Sequence, residues 1–178
     1  MMKKTIVFYY SKTGSNKFLA YKIKHEIDAE IEEIKPRINS HILLMLGFSL
    51  GIKKLKNNIS DFDRVILCGP VWMGKFIEPL KAFSIKHKNQ IKELIFVTCC
   101  GSSYEIKEKK FGHGRVFKKV ESLFAEKCTR CEALPIALLL PDNKKQDADL
   151  VMYTRLTESN FNGEFLEHFK LFISNISG

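Results

Sequence analysis

Between an apolar run, Thr5 to Tyr10, and a stretch with helical spacing lies the loop Ser11-Lys12-Thr13-Gly14-Ser15-Asn16. A loop leading from a strand into a helix turns backbone N–H groups into its own concavity and adds the positive end of the helix dipole. Ser11, Thr13 and Ser15 bring hydroxyls, Asn16 an amide and Lys12 an ammonium. No acidic residue occurs between Met1 and His25, so nothing in this stretch repels an anion. The chemistry such a loop can do is to hold a phosphate. A plain helix N-cap is the alternative, but that needs only one side-chain oxygen, and the density of donors favours phosphate. Two more loops follow strand-like runs. Gly69-Pro70-Val71-Trp72-Met73-Gly74-Lys75 carries the only tryptophan, and Cys99-Cys100-Gly101-Ser102-Ser103-Tyr104 carries adjacent thiols.

Several phosphate-handling designs are excluded by inspection. A nucleoside-triphosphate loop has two glycines with Lys-Ser/Thr after the second, and a dinucleotide loop has three spaced glycines. Here one glycine precedes Ser15-Asn16, while Gly112-His113-Gly114 follows no clear strand and lacks a third glycine. A receiver domain would place aspartates at the ends of the first and third strands, where this chain has Tyr10-Ser11 and Cys68-Gly69. A cysteine phosphatase needs an arginine shortly after its nucleophile; Cys99 and Cys100 are followed by Glu105 and Ile106 there. Adjacent cysteines bond poorly, so this pair reads as buried small hydrophobes. Cys128-Thr129-Arg130-Cys131 has the spacing of a redox pair or half a metal site. With no second pair at suitable spacing, and placed between a helix and the fifth strand, it reads as a structural accident, and no metal site is expected. His113, between two glycines, is placed either over a bound ligand or in a surface turn, and the surface turn is the expectation.

The elements that must position these loops follow from periodicity. Short continuous apolar runs at Thr5–Tyr10, Arg64–Cys68 and Leu94–Thr98 predict buried strands. Ala29–Ile34 reads as a half-exposed or edge strand, and Ala133–Leu140, with Pro135 near its start, as a fifth strand. Helical spacing runs through Phe18, Leu19, Ile23 and Ile27 to about Asp28, and Pro79 suits the first turn of a helix reaching about Lys88. Further helices are expected over Val116–Lys127 and along the stripe Phe165, Leu166, Phe169, Phe172, Ile173 and Ile176. Strands alternating with helices predict an α/β fold: a three-layer, doubly wound, five-stranded parallel sheet. In such a sheet the three loops converge at the strands' carboxyl ends, where the winding reverses. The segment 36–59, apolar from Ile42 to Met45 and on to Leu50, predicts a covering helix or an apolar insertion serving as a flap or dimer surface.

At 178 residues with 45% hydrophobic and 28% charged content, the composition is that of one globular domain over 1–178 and not of a disordered chain. No apolar run approaches the roughly 18 residues of a membrane span, and the first residues lack a secretory cleavage pattern. Five cysteines do not make a disulfide framework, which points to a reducing, cytoplasmic setting. The net charge of +9 concentrates anions near the surface. Its lysines are scattered, with no basic arm or aromatic-interleaved stripe, so nucleic acid is not the expected partner.

Taken together, the first two loops resemble those of the flavodoxin-like FMN-binding family. That family's phosphate loop reads Thr/Ser-x-Thr-Gly-Asn-Thr, similar to Ser11–Asn16 here, with Ser15-Asn16 departing from the commoner Asn-Thr. Gly69-Pro70-Val71-Trp72, with Gly74 and Pro79 after it, looks like the family's second flavin loop, and the likeness in layout runs from Lys4 to about Ile173. The resemblance implies a flavodoxin-like fold holding one FMN non-covalently. Its cofactor-binding residues would be Ser11, Lys12, Thr13, Gly14, Ser15, Asn16, Pro70, Val71, Trp72, Met73, Gly74, Lys75, Cys99, Cys100, Gly101 and Tyr104. Trp72 would stack on the ring, Gly74 allow close backbone approach, Lys75 steady negative charge, and Tyr104 form the opposite wall. It implies an electron-transfer protein with a redox partner, or an NAD(P)H:quinone-type reductase. Carrier flavodoxins are acidic, so a basic surface suggests an acidic partner or a small acceptor such as a quinone. A flavin-free interaction domain on the same scaffold is the remaining alternative.

Overall fold

The computed structural model describes residues 3–38, 50–72, 74–101 and 112–177. Its strands are β1 (Thr5–Tyr9), β2 (Glu30–Glu33), β3 (Arg64–Cys68), the short pair β4 (Val71–Trp72) and β5 (Lys75–Phe76), β6 (Leu94–Cys100) and β7 (Cys128–Pro135). Helices are α1 (Ser15–Glu26), α2 (Glu78–His87), α3 (His113–Phe124), α4 (Ala148–Tyr153) and α5 (Gly163–Ile176). Five strands make one sheet in the order β2-β1-β3-β6-β7, every pairing parallel.

The apolar runs of β1, β3 and β6 are buried on both faces, which is why their sequences show no alternation. Alternation returns in the packing. Ile6 and Phe8 of β1 join one core cluster, which includes Leu80 and Phe83 of α2 and Val116 and Val120 of α3. Val7 and Tyr9 join the other, with Leu19 and Ile23 of α1 and Phe165, Phe169 and Phe172 of α5. One helix layer therefore covers each face. The crossover from β1 leaves through α1 on one face and that from β3 through α2 on the other, so the winding reverses between adjacent strands β1 and β3. Tyr10 N–H to Cys68 O (3.0 Å) and Gly69 N–H to Val97 O (3.2 Å) carry the sheet bonding out to the loops. Gly69 packs so closely under α2 that a Cβ there would lie 2.6 Å from Leu80 Cδ1.

Two expectations need correction. The fifth strand is Cys128–Pro135 rather than Ala133–Leu140. Proline offers no N–H to continue a ladder, and Ile136–Leu139 turns into a 3-10 helix. The first half of β7 is a half-exposed sheet edge, so it lacks the apolar signature by which buried strands are read. Val71–Trp72 and Lys75–Phe76, expected in a loop, likewise pair as short antiparallel strands, Val71 with Phe76 and Trp72 with Lys75. In the segment 36–59, residues 39–49 lie outside the described ones; beyond them Pro36 bridges Ile52 in an antiparallel contact. Among the described residues no helix is long and apolar enough to cross a membrane.

Candidate functional site

Gly14 precedes α1 at φ 100°, left-handed backbone that glycine adopts without strain. Its N–H is bound by Ser11 Oγ at 3.2 Å, which closes the loop on itself. Among the described residues no side chain caps α1, and no acidic residue stands in its first turn. The opening N–H groups have no acceptor within the helix, so the loop presents donors and a positive dipole end outward. Of its side chains, Lys12 and Thr13 are exposed, while Ser15 and Asn16 are buried.

Asn16 does work the sequence does not reveal. Its Nδ2 donates to Cys99 O at 2.9 Å and its Oδ1 accepts from Cys99 N–H at 2.9 Å. Both ends of the amide are thus engaged with the backbone of β6, joining the first loop to the third. Cys68 Sγ donates to Asn16 O at 3.4 Å, linking β3 to the same corner. Ser15 Oγ accepts from Leu156 N–H at 3.1 Å and so fastens the chain after α4.

Trp72 is half-buried on the β4–β5 hairpin, edge-on to Tyr10 (6.3 Å, 71°), with Lys12 Nζ 5.9 Å above its ring. The first loop's cation thus lies against the second loop's aromatic ring. Burial, then the charge of Glu33, raises the Tyr10 phenol above its ordinary pKa. Cys68 and Cys99 are buried and their thiols pushed up, chiefly by burial, with Cys100 and Cys68 adding to the effect at Cys99. Thiols held neutral are not nucleophiles at neutral pH, and the buried Cys99 and Cys100 fit the small-hydrophobe reading of the adjacent pair.

The three loops meet at one cavity of about 580 Å³. From the first loop it is lined by Lys12, Thr13, Ser15 and Asn16, from the second by Pro70, Val71 and Trp72, and from the third by Cys99, Cys100 and Gly101. Ser11, Gly14, Gly74 and Lys75 do not line it: Gly74 is buried in the hairpin and Lys75 is exposed on β5. Met73 and Tyr104, with Ser102 and Ser103, lie outside the described residues. A cavity of this size and largely apolar lining accommodates a flat, drug-sized ligand.

Five lining residues were not foreseen: Ile136, Val151, Met152, Thr154 and Arg155. Ile136 follows β7, and the rest belong to α4 and its exit. Asp147 caps α4, its carboxylate accepting from Leu150 N–H at 2.9 Å, and an aspartate at that spacing was a readable helix start. Arg155 Nη1 donates to Met152 O and Thr154 O, and no carboxylate pairs with it among the described residues. With Lys12 it gives the cavity two cations among the described residues. His113 corrects another expectation: it is buried at the start of α3, 2% exposed, its ring 5.1 Å from Phe117 and its Nδ1 3.9 Å from Cys100 Sγ. A smaller cavity of about 310 Å³ sits by β2, where Glu32 already binds Lys56 N–H, Asn57 N–H and Asn57 Nδ2.

The sheet order, numbered over its five strands, is 2-1-3-4-5 with the cavity at the carboxyl ends of β1 and β3, which is the flavodoxin-like fold. Solved structures agree. The chain is similar to a flavoprotein from Lactobacillus acidophilus NCFM crystallised in complex with FMN, at 20% identity and a TM-score of 0.61, covering 74% of this chain and 93% of that one. It is similar over nearly its whole length to a Streptococcus pneumoniae flavodoxin (12% identity, TM-score 0.52, 97% and 96% covered). A Bacillus anthracis azoreductase shares the fold too (11%, TM-score 0.51, 96% and 99% covered). No protein-family model and no curated protein matches the chain.

Proposed function

We propose that the chain binds FMN non-covalently and is a redox flavoprotein. The observation that carries this reading is the meeting of three loops on one largely apolar cavity whose lining includes the uncapped start of α1. The residues fit the group: the first-turn amides, the Thr13 hydroxyl and Lys12 suit a phosphate dianion. Pro70, Val71, Trp72 and the backbone at Cys99–Gly101 suit a flat ring with apolar faces and a polar edge. FMN supplies the redox chemistry when bound; the chain binds and orients it and keeps water from its faces. Asn16 holds the phosphate side and the ring side in fixed register through Cys99. The FMN bound by the L. acidophilus flavoprotein supports the reading.

The role we favour is electron transfer, with an acidic redox partner or a small acceptor such as a quinone meeting the +9 surface; the cytoplasm, where five free thiols stay reduced, is the setting we assign. An NAD(P)H:quinone-type reductase is the second reading, favoured by the basic surface. Purified protein titrated with FMN should develop a bound-flavin absorption spectrum and quench the fluorescence of Trp72, the only tryptophan. Thr13→Leu should weaken FMN at least tenfold more than riboflavin, which lacks the phosphate. A colourless protein that takes up no FMN would instead mark a flavin-free interaction domain. Rapid NAD(P)H oxidation with quinone would favour the reductase, and exchange only with a separate reductase protein the carrier.

A further inference from the structure

Cys128-Thr129-Arg130-Cys131 lines no part of the cavity. It opens β7, and the pairing with β6 slips there: Leu94 faces Cys128, but Ile95 faces Arg130, leaving Thr129 as an extra residue. In an unbroken strand, residues three apart point to opposite faces. The bulge cancels that alternation, and the two sulfurs meet at 3.7 Å. Thr129 Oγ1 donates to Glu93 Oε1 (3.2 Å) and Leu94 O (3.4 Å), so the bulge is held in place. Both thiols are half-buried against the core cluster under α3, whereas Cys68, Cys99 and Cys100 are buried. The sulfurs stand apart by roughly 1.7 Å more than a disulfide bond, so bonding them requires the side chains to rotate and the bulged backbone to tighten. Five residue steps along the chain lead from Cys131 to Ile136 at the cavity, roughly 17 Å, so this is a second site.

We propose that Cys128 and Cys131 form a reversible redox site that a hydroperoxide converts to an intramolecular disulfide. The Cys128 thiolate attacks one peroxide oxygen, the O–O bond breaks, and the other oxygen leaves as alcohol or water. Cys128 becomes a sulfenic acid. The Cys131 sulfur then attacks the Cys128 sulfur, the S–O bond breaks, and the hydroxyl leaves as water with the Cys131 proton. Two electrons have passed from the two thiols to the peroxide, and a reduced dithiol reverses the change by exchange. The roles follow from the contact. The hydrogen bond the two sulfurs share holds the Cys128 thiol below its ordinary pKa and, together with burial, pushes Cys131 up. Cys128 is therefore the attacking sulfur and Cys131 the resolving one.

The test uses the full chain, with and without added FMN, treated with hydrogen peroxide and then denatured for thiol counting and peptide mass mapping. Two of the five thiols should disappear, with a Cys128–Cys131 cross-link lighter by two hydrogens that dithiothreitol fully reverses. In Cys131→Ser, dimedone should label Cys128 and no cross-link should form. Retention of all thiols, prior oxidation of Cys99 or Cys100, intermolecular bonds or irreversible overoxidation would each overturn the proposal. The wild-type measurement requires no variant to fold, and its outcome is independent of whether the cavity takes up FMN.

Discussion

At the scale of single residues, the site was partly legible because donor type and local spacing are local properties. Ser11 to Asn16 stood out by density of donors after a strand, and Trp72 by being a lone aromatic between two apolar elements. What those properties could not convey is which donors are already spent. Asn16 looks like a ligand-facing amide in sequence, yet its partner is 83 residues away and both its hydrogen-bonding ends are engaged there. Gly74 and Lys75, expected near a ring edge, belong to the β4–β5 hairpin, Gly74 buried and Lys75 exposed. Asn16→Ala leaves the Cys99 N–H and C=O without these partners in a buried corner, which costs about 1–3 kcal/mol for each group left unsatisfied. The midpoint of urea unfolding should fall accordingly, and FMN affinity should fall with it because the two loops lose their common strut. A variant with wild-type stability would mean that the corner is held by packing alone.

At the scale of elements, buried parallel strands declared themselves as apolar runs, and α5 by a phenylalanine stripe at helical spacing. The misses share one cause. The start of β7 is a sheet edge and α4 is a six-residue helix; neither buries enough apolar surface to impose a period on the sequence. The amino ends of the strands are tied by a polar cluster equally invisible locally. Glu93, just before β6, accepts from Lys3, Arg64 and Thr129, and Arg64 also donates to Ile176 O at the end of α5. Burial alone would raise the Glu93 pKa, but the Lys3 hydrogen bond and the Arg64 charge outweigh it and hold the carboxyl below its ordinary value. A folded pKa below the unfolded one gives stability that is present above the ordinary carboxylate range and lost as pH falls through the folded value. Wild-type stability should therefore decline with acidification below about pH 5 more steeply than that of Glu93→Gln, with the two curves converging at low pH. Parallel curves in urea unfolding from pH 7 to pH 3 would show that the cluster does not depend on the carboxylate charge.

At the scale of the whole molecule, charge and cofactor act on the same equilibrium. A net charge of +9 is self-repulsive, and Lys12 and Arg155 both line the cavity. A bound dianion relieves that repulsion where it is concentrated, so FMN should stabilise the fold beyond what its ring contacts provide. Ligand at a hundredfold excess over its Kd contributes about 2.7 kcal/mol, which for a chain of this size raises Tm by roughly 5–10 °C. Riboflavin at equal concentration lacks the charge and should raise it less. The difference between the two ligands should shrink as ionic strength rises from 0.01 M to 1 M, because the screening length falls from about 30 Å to about 3 Å. Arg155→Ala should narrow the same difference at low salt while leaving the riboflavin shift nearly unchanged. If FMN and riboflavin instead stabilise the chain equally at every salt concentration, the tail lies outside the cradle at α1, and binding energy resides in the ring walls alone.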